Sequence, residues 1–283
     1  MRNAIMGAFL LGLCLMSASC AADGSAPSND GPAAPETARG PLQSGYFPVG
    51  RNGVVQKVTY AVVDGERIFE GDIILDHTEA AGGLHVQGLD PQGVAISGSS
   101  RRWPNKVIPY AIDSGLSNTA RVSDAIAHWE NKTELTFVKR TSSNASKYPD
   151  YVVFRSSSGC SSTVGRKGGV QYVNLGSGCS TGNTIHEIGH AVGLWHEQSR
   201  EDRDNFVTIH WDNIEEGMEH NFDKHVSDGD DINGYDYGSI MHYGETAFSK
   251  NGEPTITTKN GADVGQRSAL SSGDLSAVAK LYP

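Results

Sequence analysis

Apolar and polar positions change period several times along the chain, and each change predicts an element. Val58-Thr59-Tyr60-Ala61-Val62-Val63, then Asp64-Gly65, then Glu66-Arg67-Ile68-Phe69 predicts a hairpin closed by a tight Asp-Gly turn. Val107 to Ile112 reads as a strand, with Pro109 marking an edge or a strand start. From Asn118 to about Glu130 the apolar residues Val122, Ala125, Ile126 and Trp129 have helical spacing, with Ser117 or Asn118 as cap. Strand-like runs follow at Leu135 to Val138, Tyr151 to Arg155 and Val170 to Leu175. A second helical stretch ends near Gly193, after which regular pattern thins until Ser271 to Tyr282, a capped closing helix with Leu275, Val278 and Leu281 inward. Strands and helices in this order predict an α+β unit whose sheet packs against two long helices.

Two stretches lack periodicity. Ala21 to about Gly45 is rich in Ala, Pro, Gly, Ser and Asp and reads as a flexible linker, order beginning near Val54. Residues 79 to 100 read as a connector and a cleavage region. At the start, Arg2 precedes an apolar run from Ala4 to Met16, followed by small residues, which is the pattern of a secretory signal too short to span a membrane. Cys20 stands where bacterial lipoproteins carry an acylated cysteine, whereas a cut after Ala22 gives a soluble form; the sequence leaves both open.

Composition narrows this picture. The 283 residues are 37% hydrophobic and 20% charged, as in a globular protein, and the formal charge of −10 argues against a nucleic-acid surface. With Cys14 and Cys20 in the signal region, Cys160 and Cys179 remain as an even pair in an oxidising compartment, where a disulfide is the default and zinc ligation the alternative.

The chemistry concentrates in His186-Glu187-Ile188-Gly189-His190-Ala191-Val192-Gly193-Leu194-Trp195-His196-Glu197. On a helix His186 and His190 share one face, and Gly193 allows a left-handed turn that brings in His196. Three imidazoles leave a tetrahedral zinc with one open position, the signature of catalysis. Glu187 is placed to take a proton from water there. It also has a competing structural role, because Thr184-x-x-Glu187 has capping-box spacing. A surface helix with two histidines is the plainer reading, and a zinc-binding surface protein that does not cleave is the rival function. Asp228 to Gly234 fails calcium-loop spacing, since Ile232 falls where an oxygen ligand is needed, and reads as solvated surface.

From these residues through Gln198-Ser199-Arg200-Glu201-Asp202-Arg203-Asp204 to Ser239-Ile240-Met241-His242-Tyr243 the chain resembles an astacin, a zinc metalloendopeptidase of the metzincin clan. The resemblance implies a zincin-like fold. Its sheet would be twisted and mostly parallel, with two long helices in the N-terminal half and a largely irregular C-terminal half closing with a helix. It implies a signal over residues 1–20, a linker over 21–45, a propeptide over 46–94 and a catalytic domain over 95–283. One Zn2+ would be held by His186, His190 and His196, with Glu187 as base and Tyr243 at the metal. Met241 would form an apolar floor, and Glu197 would pair with the new N-terminal amine after maturation. Phe69-Glu70-Gly71-Asp72-Ile73 resembles the family's propeptide motif, which makes Asp72 an aspartate switch in the open zinc position. The maturation cut would fall between about Gly93 and Ser97, with Arg101-Arg102 as a rival. Cys160 and Cys179 match one of two family disulfides; the other lacks both partners, with Thr136 near one expected place. Gly265-Gln266-Arg267 would border the substrate pocket, where Arg267 would favour acidic residues. The implied protein is a secreted monomer of bacterial type acting on proteins or peptides, either free or held at the outer membrane through Cys20.

Overall fold

A computed structural model describes residues 39–47, 56–75, 99–225 and 231–283. The signal, Cys20, most of the linker, the cut between Gly93 and Ser97 and Asp228 to Asp230 lie outside the described residues. No helix among the described residues is long and apolar enough to cross a membrane.

Within the described residues one large sheet has nine strands: β1 Leu42–Phe47, β2 Gln56–Val63, β3 Glu66–Phe69, β4 Ile73–Ile74, β5 Val107–Ile112, β6 Thr136–Lys139, β7 Tyr151–Ser156, β8 Cys160–Ser162 and β9 Val170–Leu175. Their spatial order is β1-β2-β3-β4-β8-β9-β7-β5-β6. A separate pair joins β10 (Val207–Ile209) to β11 (Ile256–Thr258). The helices are α1 (Ala120–Lys132), α2 (Thr181–Val192) and α3 (Ser272–Leu281).

The β2–β3 hairpin turns on Asp64 at φ 51° and Gly65 at φ 81°, two left-handed residues in a two-residue loop, which is why an Asp-Gly pair belongs there. Val122, Ala125, Ile126 and Trp129 of α1 are buried, as their spacing predicts. They meet Val152, Phe154, Val173 and Leu175 of the sheet and Ile185 and Ile188 of α2 in one core. Two tryptophans hydrogen-bond into that core: Trp129 Nε1 donates to Ile185 O at 3.1 Å and Trp103 Nε1 to Ala191 O at 2.8 Å. A second cluster joins Phe47, Val58, Tyr60, Phe69, Ile73 and Leu75 of the N-terminal segment to Val164 and Trp195. A third lies under the C-terminal half, around Val207, Phe222, Tyr243 and Ile256.

Several expectations need correcting. The linker ends earlier than predicted, because Leu42–Phe47 is a strand; its side chains are mostly exposed, so no apolar alternation announces it. The matched domain keeps the expected mostly parallel sheet, with β9-β7-β5-β6 pairing in parallel and β8-β9 antiparallel; the N-terminal segment adds the antiparallel strands β1 to β4, joined by a parallel β4-β8 pair, and makes the whole sheet mixed. Pro109 is not on an edge strand, since β5 lies between β6 and β7. Pairing with β7 begins only at Tyr110, so the missing N–H falls just before the doubly paired stretch. The cap position of α1 is Thr119, without a side-chain bond, and Asn118 instead adopts φ 50° in the preceding turn. Ser271 and Asp274 form a full capping box at α3, as expected of a capped closing helix.

Candidate metal centre

Helix α2 starts from a capping box between Ser180 and Asn183: Ser180 Oγ accepts from Asn183 N at 3.1 Å, and Asn183 Oδ1 accepts from Ser180 N at 2.9 Å. Thr184 is therefore inside the first turn, its hydroxyl donating to Ser180 O at 2.9 Å. The competing capping role for Glu187 is thereby excluded. Gly182 lets this end lie on the backbone of Arg267, where a Cβ would stand 1.6 Å from the carbonyl oxygen. At the other end Gly193 takes φ 113°, and the Leu194 amide bonds back to Gly189 O at 2.9 Å. That reversal carries His196 back beside the helix.

The three imidazoles are buried, and each commits one nitrogen outward. His186 Nδ1 bonds Ile240 O at 2.7 Å, His190 Nδ1 bonds Leu194 O at 2.8 Å, and His196 Nδ1 meets Glu70 Oε2 at 2.8 Å. With Nδ1 as donor, each Nε2 presents a lone pair inward. Those three nitrogens face Asp72: Oδ2 is 3.2 Å from His186 and 3.1 Å from His196, and Oδ1 is 3.5 Å from His190. His190 Nε2 and Asp72 Oδ1 are buried and make no hydrogen bond. One ligand atom from each of the four residues lies within 4.8 Å of the others. A zinc tetrahedron with spokes of about 2.0–2.1 Å has edges of about 3.3–3.4 Å, so the donor set fits zinc in both chemistry and size.

The electrostatics follow from this crowding. Burial works against every charge here. For His186 it wins, aided by the Arg267 guanidinium, and the imidazole is held down to about 3. His190 is lowered for the same main reason, burial. Burial also opposes charge on His196, but Asp72 and Glu70 together outweigh it and push the group up to about 9. Asp72 itself is held well below the carboxylate range, because His196 and His190 override its burial.

Met241 is buried against the helix between the ligands: a Cβ on Gly189 would lie 2.5 Å from its sulfur. The turn carrying it is anchored by Asp274 of α3, which accepts from Ser239 Oγ at 2.6 Å and from Ile240 N at 3.0 Å. The Tyr243 ring lies 4.6 Å from that of His196, and its hydroxyl donates to Glu70 O at 2.6 Å. Glu187 is buried on α2 beside the first ligand. Glu197 lines a small cavity of about 30 Å³ with Arg200, Asp236, Met241 and Asp274, and its carboxylate accepts from Asp236 N at 2.8 Å. Burial, only partly offset by Arg200, pushes Glu197 up to about 8. Arg267 is half-buried rather than solvated, donating to His242 O and Gln266 O at 3.0 Å each. Cys160 and Cys179 are bonded, tying β8 to the start of α2.

Sequence reasoning missed Glu70 and its niche. Glu70 is 1% exposed; besides His196 it accepts from His225 Nε2 at 2.7 Å and Ser199 Oγ at 3.2 Å. Burial would raise it, yet His225 and His196 prevail and hold it at about 2. His225 is sandwiched, stacking on Trp195 at 4.3 Å with Phe69 edge-on at 6.0 Å. Glu70 stands two residues before Asp72 in the same motif, which is the signal that could have found it; His225 has no local signal.

The model of the Astacin peptidase family matches residues 95–283, two-thirds of the chain and all three histidines. The chain belongs to the astacin family. Protein SpAN of Strongylocentrotus purpuratus is 42% identical over 193 residues, covering 65% of this chain and 31% of its own length. Zinc metalloproteinase nas-13 of Caenorhabditis elegans is 42% identical over 233 residues, 76% of this chain and 50% of its own. Zinc metalloproteinase nas-4 of the same animal is 40% identical over 223 residues, 75% and 68%. Among solved structures, high choriolytic enzyme 1, a hatching enzyme zinc-protease from Oryzias latipes, superposes with a TM-score of 0.59 at 38% identity, over 65% of this chain and 95% of that one. This astacin spans about a third of the length of the sea-urchin relative and half that of nas-13. The His186, His190 and His196 cluster fits the family's zinc site.

Proposed function

We propose that the chain is an exported zinc endopeptidase made in a latent form, with residues up to about 94 as the inhibitory pro-segment. The observation that carries this is the position of Asp72: it comes from outside the matched domain, yet both its oxygens face the three ring nitrogens at 3.1 to 3.5 Å. When bound, zinc supplies a Lewis acid that acidifies water and polarises a carbonyl. Asp72 takes the place that water needs, so the uncut chain is inactive.

Once the segment has left, the chain's own residues divide the work. Glu187 accepts the proton of the attacking water and delivers it to the leaving amine. Tyr243, released from the Glu70 carbonyl, donates its hydroxyl to the oxyanion of the scissile carbonyl. Met241 keeps the ligand helix seated, and the Ile240 and Leu194 carbonyls hold His186 and His190 in the tautomer that leaves Nε2 free. The half-buried Glu197, with its adjoining cavity, suits capture of the amine created by maturation. Arg267, pinned at the edge of the site, gives the pocket a positive wall and a preference for acidic side chains in protein or peptide substrates. The leader sequence supports export, with the protein either anchored at a bacterial outer membrane through Cys20 or released.

The test uses the uncut, zinc-loaded chain and a fluorogenic peptide. Asp72→Ala should hydrolyse the peptide without maturation, and a chelator should abolish that activity. Glu187→Gln added to it should keep one zinc but lose turnover. An uncut Asp72→Ala protein as silent as the parent overturns the latch; full turnover with Glu187→Gln overturns the base.

A further inference from the structure

The inhibitory role of residues 39–75 accounts for Asp72 and rests on the metal; a second set of contacts, on a different face, has no part in it. At the tip of the β2–β3 hairpin, Asp64 Oδ2 accepts three hydrogen bonds from the β7–β8 connection: Ser157 Oγ at 2.7 Å, Ser158 N at 2.9 Å and Ser158 Oγ at 2.9 Å. Two residues on, Glu66 Oε1 pairs with Arg155 Nη2 at 2.5 Å, and Oε2 accepts from Asn174 Nδ2. The receiving groups are set in place independently of the hairpin. Arg155 lies 3.6 Å over the Tyr172 ring, its Nε donates to Asn174 Oδ1 at 2.8 Å, and Asn174 Nδ2 also reaches Ser161 Oγ at 2.9 Å. Side-chain exposure of Glu66 is only 12%, so this pair is better shielded than an ordinary surface ion pair. None of these receiving residues belongs to the metal-ligating set, and all lie in the matched domain.

Further attachments lie elsewhere on the segment. Arg39 pairs with Glu215 at 2.9 Å, and Phe47, Tyr60, Phe69, Ile73 and Leu75 share an apolar cluster with Val164 and Trp195. Every one of these contacts is made by residues 39–75. The cut expected between Gly93 and Ser97 falls beyond them and breaks none. What it removes is the tether, which supplies an effective concentration on the order of millimolar. A segment held by preset charged hydrogen bonds at one end and a buried apolar cluster at the other does not need that help at ordinary concentrations.

We propose that Arg155, Asn174, Ser157 and Ser158 form a docking site for the Asp64-Gly65-Glu66 turn, and that the severed pro-segment stays bound as a non-covalent inhibitor. Activation then takes two events: the cut in the connector, and the stripping or digestion of the segment itself.

The experiment uses full-length, zinc-loaded protein carrying Glu187→Gln to silence self-cleavage and a recognition sequence for a specific protease placed at residues 93–97. After complete cutting, gel filtration at sub-micromolar protein should show the segment co-eluting with the catalytic part. Asp64→Asn with Glu66→Gln should weaken retention at least roughly tenfold, as loss of two charge-assisted contacts implies. Arg155→Gln, on the opposite face, should act in the same direction. Thermal unfolding of each uncut variant near the parent's shows that it folds. Immediate separation of the parent fragments overturns retention, and undiminished retention in both sets of variants overturns the docking site. The latch is scored separately by Asp72→Ala turnover in the uncut chain, so failure of one does not pass for failure of the other.

Discussion

Glu70 and Gly71 take φ 47° and φ 77°, two left-handed residues in succession inside a tight kink. For a glutamate that backbone costs about 1–2 kcal/mol, while glycine takes it freely. The kink aims two carboxylates, on either side of Gly71, into one buried site, and what offsets its cost is the niche around Glu70. Glu70→Ala would leave His196 Nδ1, His225 Nε2 and Ser199 Oγ facing a buried gap. We expect the uncut chain to lose about 3–5 kcal/mol in denaturant unfolding; a loss under about 1 kcal/mol would mean that the niche binds little. At this scale the sequence was readable where spacing encodes geometry. His186, His190 and His196 follow helical and turn spacing, and the structure brings them together with Asp72. Glu70 was not readable, because a glutamate beside a loop glycine is ordinarily solvated and only tertiary packing buries it. His225 comes from the region where periodicity fades, and its partners lie far off in sequence.

Among the elements, α2 shows how tightly the site is built into the fold. It is polar where it holds metal ligands and lacks bulk where another element passes, at Gly182 against Arg267 and at Gly189 against Met241. Gly189→Ala would gain up to about 1 kcal/mol in helix propensity. The added methyl, 2.5 Å from the Met241 sulfur and 3.3 Å from its terminal carbon, must displace a buried side chain. Overpacking of about 1–3 kcal/mol should therefore prevail. A lowered melting temperature together with weaker zinc retention in a chelator titration is the expected result; a stabilised variant with unchanged zinc affinity would show that Met241 yields without consequence. The long amphipathic helix α1, the hairpin and the capped α3 could be read from pattern, since each buries one face or closes on a turn with fixed chemistry. Strands β1 and β8 could not: one exposes most of its side chains, and the other has three buried residues, too few to establish a period.

For the whole molecule, the way the N-terminal segment is held sets a dependence on acidity. Asp64 is kept below its ordinary 3.8, first by the Ser158 amide and then by the Ser157 and Ser158 hydroxyls. The docked turn thus binds a proton less readily than a free one. Its stabilisation is present above the ordinary value and is lost as pH falls through the lower, docked value. Retention of the cut segment should decline below about pH 4, and Asp64→Asn should flatten that part of the profile, which gel filtration between about pH 6 and pH 3 would reveal. An equal decline in the variant would assign the acid sensitivity to other groups. The sheet order carries one more consequence. In the uncut chain β8 is an interior strand, with β4 on one side and β9 on the other. Departure of residues 39–75 removes its neighbour and turns it into a raw edge, the kind of surface on which copies of a protein stick together. As the proposed pro-segment, residues 39–75 would then shield this edge for as long as they stay in place. The brevity of β8 and its disulfide to the start of α2 would limit the aggregation-prone surface exposed once the segment had left.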